Sequence, residues 1–263
     1  MLAPVQEIAR RVAHEEIMPR FRHVTAAIKA DGGLLTEADI AAQQALMDWL
    51  PQLVPFPVLG EEMTTDAQQF LWAANQAGLW VVDPVDGTTN FARGLPCFSV
   101  SIALMRAGRP VLGVVYAPAL GECFSAVAGH GAWCNGETLR SGADVPLAEA
   151  VAAIDIKRLS ADLAVGVVRN RPYHAQRNFG ASTLDWCWLA AGRMDVMLHC
   201  SQKLWDFAAG ALILQEAGGQ VATLESEDFW VGKPWQRSVL AARTPALFAE
   251  WREWVLARRP SAA

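Results

Sequence analysis

The sequence predicts a layered α/β protein, on three observations. Between residues 98 and 139 several short β-rich runs follow one another, broken by Gly and Pro at turn spacing, which reads as consecutive antiparallel strands. From residue 151 onward strand-like and helix-like stretches alternate, the pattern of a sheet covered by helices. No Ser/Gly-rich linker parts the two regions, so the 263 residues make one large unit or two intimately packed halves, with a soft boundary near residues 139–145.

Each element has a local reason. Val5, Ile8, Val12 and Ile17 fall at spacings compatible with one helical face, and Pro4 stands where a first-turn proline is tolerated. Thr36 followed three positions on by Asp39 signals a helix start leading into Ile40, Leu46 and Trp49, with Pro51, Pro55 and Pro57 ending that helix. Two short apolar strands follow, at 58–60 and 79–82, and each runs straight into acids, Glu61-Glu62 and Asp83-Pro84-Val85-Asp86. Strands are then expected over 99–105 and 111–116. The second half should bring a strand over 151–156, a helix near 181–191, a strand over 195–198, a helix from 205 to about 217 closed by Gly218-Gly219, a strand near 238–242 and a helix near 246–257.

Composition excludes several functions. With 27 acidic side chains against 22 Lys plus Arg, a net charge of −5 and no block of like charge, the chain lacks the electrostatic footprint of a nucleic-acid binder or of a protein that docks on an anionic membrane. The longest stretch without formal charge, residues 67–82, holds three Gln and one Asn and is too short to span a bilayer. The opening residues lack a secretory signal pattern, so a cytoplasmic location is expected. Five cysteines without a C-x-x-C pair fit neither a disulfide framework nor a zinc cluster. Eleven Trp against two Tyr is a skew that the sequence does not explain. No nucleophile elbow, zincin helix, P-loop or dinucleotide fingerprint occurs, and the five histidines show no ligand spacing.

What remains is carboxylate chemistry. Asp83 and Asp86 stand three residues apart at a strand end, and Gly87, Thr88 and Thr89 then offer a turn and a helix start, where free N–H groups favour a phosphate. Mg²⁺ prefers few carboxylates together with water and phosphate oxygens. The same residues read equally well as an Asx-rich turn. Glu61, and Asp206 in the first turn of an apolar helix, add two more acids; each has an ordinary alternative, a solvated strand end for the first and complementation of the helix dipole for the second.

Gly60-Glu61-Glu62, the run from Trp80 through Asp83-Pro84-Val85-Asp86-Gly87-Thr88-Thr89-Asn90-Phe91, and Trp205-Asp206-Phe207-Ala208-Ala209-Gly210 with Glu216-Ala217-Gly218-Gly219 resemble, in order and spacing, the signature motifs of the inositol monophosphatase family. Thr36 to Asp39 is similar to that family's earlier Thr/Asp segment. The resemblance implies an αβαβα sandwich with an antiparallel sheet in the N-terminal half and a smaller mixed sheet in the C-terminal half. Residues 1–142 would carry most metal ligands and 143–263 the Trp-Asp motif, together forming one catalytic module. It further implies that Glu61, Asp83, the Val85 carbonyl, Asp86 and Asp206 ligate two or three Mg²⁺ ions. Glu61 and Thr88 would orient the attacking water, with Asp39 supporting Thr88, and the N–H groups of Gly87 and Thr88 would hold the phosphate. Gly180, Ala181 and Ser182 resemble a stretch facing the alcohol portion of the substrate. Seven residues before Asp206, where many inositol-type members carry Glu, this chain has His199, either a substrate contact or a strand-end histidine. Nearby Lys203 either adds positive charge at the pocket mouth or is a solvated loop residue, the second being the expectation. The activity implied is hydrolysis of small phosphorylated alcohols, inositol monophosphate first, by a Li⁺-sensitive homodimer. Histidinol phosphate, fructose 1,6-bisphosphate and 3′-phosphoadenosine 5′-phosphate are the alternative substrates, and a non-catalytic metabolite-binding or protein-interaction role is the alternative of another class.

Overall fold

In the computed structural model, which describes residues 1–29 and 32–258, two large β-sheets alternate with three layers of helix, beside a separate two-stranded antiparallel ribbon. The chain runs α1 (Leu2–Val12), a π-helical turn (Ala13–Ile17), β1 (Ala27–Ile28), β2 (Leu34–Leu35), α2 (Glu37–Leu53), β3 (Val58–Gly60), α3 (Thr65–Ala74), β4 (Leu79–Asp86), α4 (Thr88–Ala92), β5 (Ser99–Arg106), β6 (Arg109–Ala117), β7 (Glu122–Val127), β8 (Gly131–Cys134) and β9 (Glu137–Leu139). It continues through β10 (Val151–Ile154), α5 (Ala161–Arg169), β11 (Ala175–Arg177), α6 (Ser182–Ala190), β12 (Val196–Gln202), α7 (Leu204–Glu216), β13 (Gln220–Ala222), β14 (Arg237–Ala242) and α8 (Pro245–Leu256).

Strands β3 to β9 form a seven-stranded sheet in sequence order, antiparallel except where β3 lies parallel to β4. The five-stranded sheet, in the order β11-β10-β12-β14-β13, is mixed, with β10 parallel to both neighbours and β14 antiparallel to both of its own.

Alternation along the strands builds the layers, because successive side chains point to opposite faces. On β4, Trp80 and Val82 join the outer core with Val5, Val12, Ala42 and Leu46 of α1 and α2. Leu79 and Val81 face inward, into a core shared with Trp186 of α6 and Phe207 and Ile213 of α7. The second sheet repeats the device. Ala153, Met197 and Ala241 enter that same central core, whereas Ala152, Ile154, Leu198 and Leu240 pack outward against Leu163, Val167, Trp251 and Val255 of α5 and α8. Helix α7 is therefore sandwiched between sheets and is apolar nearly all round. The central core draws residues from both halves of the chain.

Several elements depart from the expectations. Pro51 lies inside α2 rather than ending it, and the helix runs to Leu53. Helix α3 lies mostly within the stretch lacking charge, where no helix was expected; α5 and β13 were also missed. Strand β4 carries on through its acids to Asp86. Trp80, Trp186 and Trp251 are fully buried, and each indole N–H donates to an oxygen, of Val54, Gln202 and Met197 in turn, so part of the Trp excess serves the cores. No helix among the described residues is long and apolar enough to cross a membrane.

Candidate active site

Register brings the acids together. Gly60 pairs with Val82 across the parallel β3/β4 edge, and Glu61 N–H donates to the Val82 carbonyl at 3.3 Å, so Glu61 follows β3 beside Asp83. Along the β4/β5 ladder Asp83 opposes Ser101 and Asp86 opposes Ser99, so three steps on β4 match two on β5. The extra residue is a bulge at Pro84-Val85, where proline has no N–H to contribute. Ser99 and Ser101, two apart, share one face, and the bulge therefore turns Asp83 and Asp86 to one face as well, although a regular strand would send residues three apart to opposite sides.

That face looks at the N-terminal ends of α6 and α7. Ser101 Oγ donates to the Trp205 carbonyl at 3.3 Å. Asp86 Oδ2 accepts from Thr183 N–H at 2.7 Å and from Thr183 Oγ1 at 2.6 Å. The Thr183 hydroxyl proton being spent there, Ser99 Oγ donates to Thr183 Oγ1 at 2.5 Å. In the first turn of α7, Asp206 accepts from Lys203 N–H at 2.8 Å, so it caps its own helix while standing among the other acids.

Gly87 opens α4 at φ +86°, and a Cβ there would stand 2.8 Å from the Cys97 carbonyl oxygen, so only glycine fits both the left-handed turn and the close approach. Asn90 Nδ2 donates to the carbonyls of Cys97 at 2.7 Å and Phe179 at 2.6 Å, which anchors the loop carrying Gly180, Ala181 and Ser182 next to α4. Thr36 and Asp39 form the expected capping box, with Asp39 Oδ2 accepting from Thr36 N–H at 2.7 Å and Thr36 Oγ1 at 2.5 Å. Thr88 Oγ1 lies 3.0 Å from the Val85 carbonyl oxygen and 3.3 Å from Asp39 Oδ1, and its single proton serves one acceptor at a time.

A cavity of about 460 Å³ is lined by Glu61, Asp86, Gly87, Thr88, Gly180, Ala181, Ser182, His199 and Asp206. Asp39, Asp83 and Val85 are buried outside that lining. Burial and then the charges of Glu61, Asp86 and Asp206 hold the Asp83 carboxyl well above its ordinary range. Burial likewise raises Asp206, with Asp86 and Glu61 adding to it. Asp86 is pushed up to about 6, mainly by burial, against the hydrogen bonds from Thr183. These directions describe carboxylates crowded together at a cost that a cation would relieve.

Two observations bear on a metal. Asp83 Oδ1 is buried without a hydrogen-bond partner, and the available donors are hard oxygens, which fits Mg²⁺. No three acidic, His or Cys side chains stand around one point in ligand geometry among the described residues. Glu61 is engaged elsewhere, because Lys29 Nζ lies 2.9 Å from its Oε1 and 2.6 Å from Glu62 Oε1. Burial works against the Lys29 charge, yet the two glutamates hold its pKa above the ordinary value, while burial pushes Glu62 up to about 7.

Sequence reasoning missed Lys29 and Thr183. No motif marks the lysine, whereas Thr183 directly follows the quoted Gly180 to Ser182 stretch. Lys203 was expected in solvent, but it is partly buried, with Nζ 5.4 Å from the centre of the Trp205 ring, and it lines the cavity. His199 lies within β12, just before a break in its ladder with β14, and is buried against the cavity. Ser201 N–H donates to His199 Nδ1 at 3.1 Å, and burial lowers the ring's pKa to about 4, so the neutral ring carries its proton on Nε2.

A model of the inositol monophosphatase family matches residues 1–258. The chain is 36% identical to the inositol-1-monophosphatase of Caulobacter vibrioides over 76% of its own length and 79% of the relative's. It is 35% identical to the Nus factor SuhB of Escherichia coli, over 76% of this chain and 75% of that one. Among solved structures, the IMPase of Thermotoga maritima superposes with a TM-score of 0.82 at 29% identity, covering 95% of this chain and 94% of the other.

Proposed function

Because the chain belongs to the inositol monophosphatase family and is, with it, a phosphatase, we propose that it is a Mg²⁺-dependent phosphomonoesterase of small phosphorylated alcohols, with inositol monophosphate the first substrate to test. The observation that carries this reading is the bulge in β4, which turns Asp83 and Asp86 toward Asp206 and leaves Asp83 Oδ1 buried without a partner. Glu61, Asp83, the Val85 carbonyl, Asp86 and Asp206 would hold two or three Mg²⁺ ions. When bound, Mg²⁺ supplies a Lewis acid that lowers the pKa of a water and neutralises charge on the phosphoryl oxygens.

The chain's own residues do the rest. Glu61 and Thr88 orient the attacking water, and Asp39, held by the Thr36 cap, accepts a hydrogen bond from the Thr88 hydroxyl and so aims the lone pairs of Oγ1. The N–H groups of Gly87 and Thr88 hold the phosphate. Gly180, Ala181 and Ser182, with His199 beyond them, face the alcohol portion, and Asp206 borders both. The assembly is a homodimer by the same family reading.

Phosphate release measured with Mg²⁺ and with EDTA across a panel of polyol and sugar phosphates tests the reading. Release that EDTA leaves untouched, or none at all, sinks it. Side-by-side kcat/KM values for inositol monophosphate, histidinol phosphate, fructose 1,6-bisphosphate and 3′-phosphoadenosine 5′-phosphate rank the substrates. A second reading, a protein-interaction role, is favoured by the similarity to a relative named a Nus factor. A cellular phenotype that survives Asp83→Asn would support it.

A further inference from the structure

The cavity extends beyond Ser182 to a wall formed by Asp155, Lys157, Arg158, Asp185 and His199. Asp155 follows β10, and its carboxylate is only loosely engaged there. Oδ1 is buried with no hydrogen-bond partner, and Oδ2 stands 3.5 Å from Lys157 Nζ and 3.8 Å from His199 Nε2, the second beyond hydrogen-bond reach. Lys157 is 69% exposed, so its pairing with Asp155 is weak. Asp155 is also the residue preceding a single 3₁₀ turn, yet it makes no capping bond to that turn. In the first turn of α6, Asp185 adds another buried carboxylate oxygen without a partner on the same wall.

Two kinds of ligand group would suit this wall, an anion for Lys157 and Arg158 or a hydrogen-bond donor for the carboxylates. Burial decides between them. Both cations are exposed and already solvated, so a ligand anion gains little from them. Asp155 lines the cavity, and a turn of its carboxylate about the Cβ–Cγ bond brings the unpartnered oxygen to a ligand donor, which then offsets the cost of an acceptor buried without one. The His199 Nε2–H stands beside Asp155 and widens the same polar subsite.

The geometry points to Asp155 as a specificity-determining residue, whose carboxylate receives a hydrogen-bond donor, a hydroxyl or an ammonium, on the alcohol portion of the phosphorylated substrate. The assignment rests on the phosphatase reading above. It makes the preferred substrate a phosphomonoester whose alcohol carries a further donor, and it disfavours plain alkyl phosphates.

The test measures kcat/KM with Mg²⁺ for the unaltered chain, Asp155→Ala and Asp155→Asn on inositol 1-phosphate, on phosphoethanolamine and on butyl phosphate, which has no donor on its alcohol. Asp155→Ala should lower kcat/KM about 10- to 100-fold on a donor-bearing substrate, the factor for a hydrogen bond to a charged acceptor, through KM and with butyl phosphate unchanged. Loss confined to inositol 1-phosphate assigns a hydroxyl, and loss confined to phosphoethanolamine assigns an ammonium. The isosteric Asp155→Asn keeps an acceptor in place and should lose less on the hydroxyl substrate than Asp155→Ala does. An equal fall on all three substrates, or no fall, overturns the inference while leaving the phosphatase reading intact. No release from any substrate by the unaltered chain overturns both.

Discussion

Replacing His199 by Gln should flatten the acid limb of the stability curve. Burial lowers the His199 pKa from 6.5 to about 4, against the attraction of Asp155. Above about pH 7 the ring is neutral in the folded and unfolded chains alike and contributes no pH dependence. As the pH falls through 6.5 the unfolded chain takes up a proton that the folded chain refuses until near 4, so stability drains away between those values. At about pH 4.5 the loss comes to about 2.5 kcal/mol, taking ~1.36 kcal/mol per pH unit. Urea unfolding followed by Trp fluorescence between about pH 7.5 and 4.5 measures it. The unaltered chain should lose about 2.5 kcal/mol more over that span than His199→Gln, because the other titrating groups cancel in the difference. Parallel curves would refute the reasoning and show that the ring protonates freely in the folded chain. A neutral His199 at pH 7 also lets Nδ1 accept from Ser201 N–H while Nε2–H remains a donor.

Three further outcomes are expected. Asp83→Asn should cut phosphate release by more than about 100-fold, beyond the loss typical of outer-shell partners of metal ligands. In EDTA it should also raise Tm, because a carboxyl whose pKa is raised by burial costs stability at neutral pH; a lower Tm would contradict the crowding of the four acids. Lys29→Ala should reduce the Mg²⁺ concentration needed for half-maximal release, since the ammonium holds Glu61 at 2.9 Å, and an unchanged half-saturation point would show that the lysine does not compete. Gly210→Ala should lower Tm, because a Cβ there would sit 2.4 Å from Trp186 Cβ where α7 crosses α6. Overpacking of about 1–3 kcal/mol outweighs the helix-propensity gain of at most about 1 kcal/mol, and a Tm that holds or rises would argue against so tight a crossing.

Much of the architecture was readable locally. The capping pair Thr36 and Asp39, the strand runs over 99–105 and 111–116, and the apolar helix opened by Trp205-Asp206 all appear near their expected places, because each depends on neighbours a few residues away. Helix α3 escaped because its Gln-rich, half-exposed face offers a weak periodic signal. Pro51 misled because near a helix C-terminus its missing N–H removes one bond without stopping the last turn.

The chemistry divides in the same way. Asp83, Asp86 and Asp206 could be nominated from their two motifs alone, because a metal or phosphate site needs those residue types and each motif is recognisable from neighbours a few positions away. Which way they point could not be read, since a spacing of three residues on a strand sends side chains to opposite faces. Only the pairing of Asp83 with Ser101 and Asp86 with Ser99 reveals the added residue that reunites them. Likewise, Thr183 meets Asp86 from 97 residues away, and Lys29 meets Glu61 from 32. Asp155 carries no motif at all. It acquires meaning because the fold buries Oδ1 in the wall of the cavity beside His199 and leaves it without a partner. Residue type and short spacing set the kind of chemistry this protein can perform; register and burial, which are properties of the assembled sheets, decided where each carboxylate faces and which of them keep an oxygen without a partner.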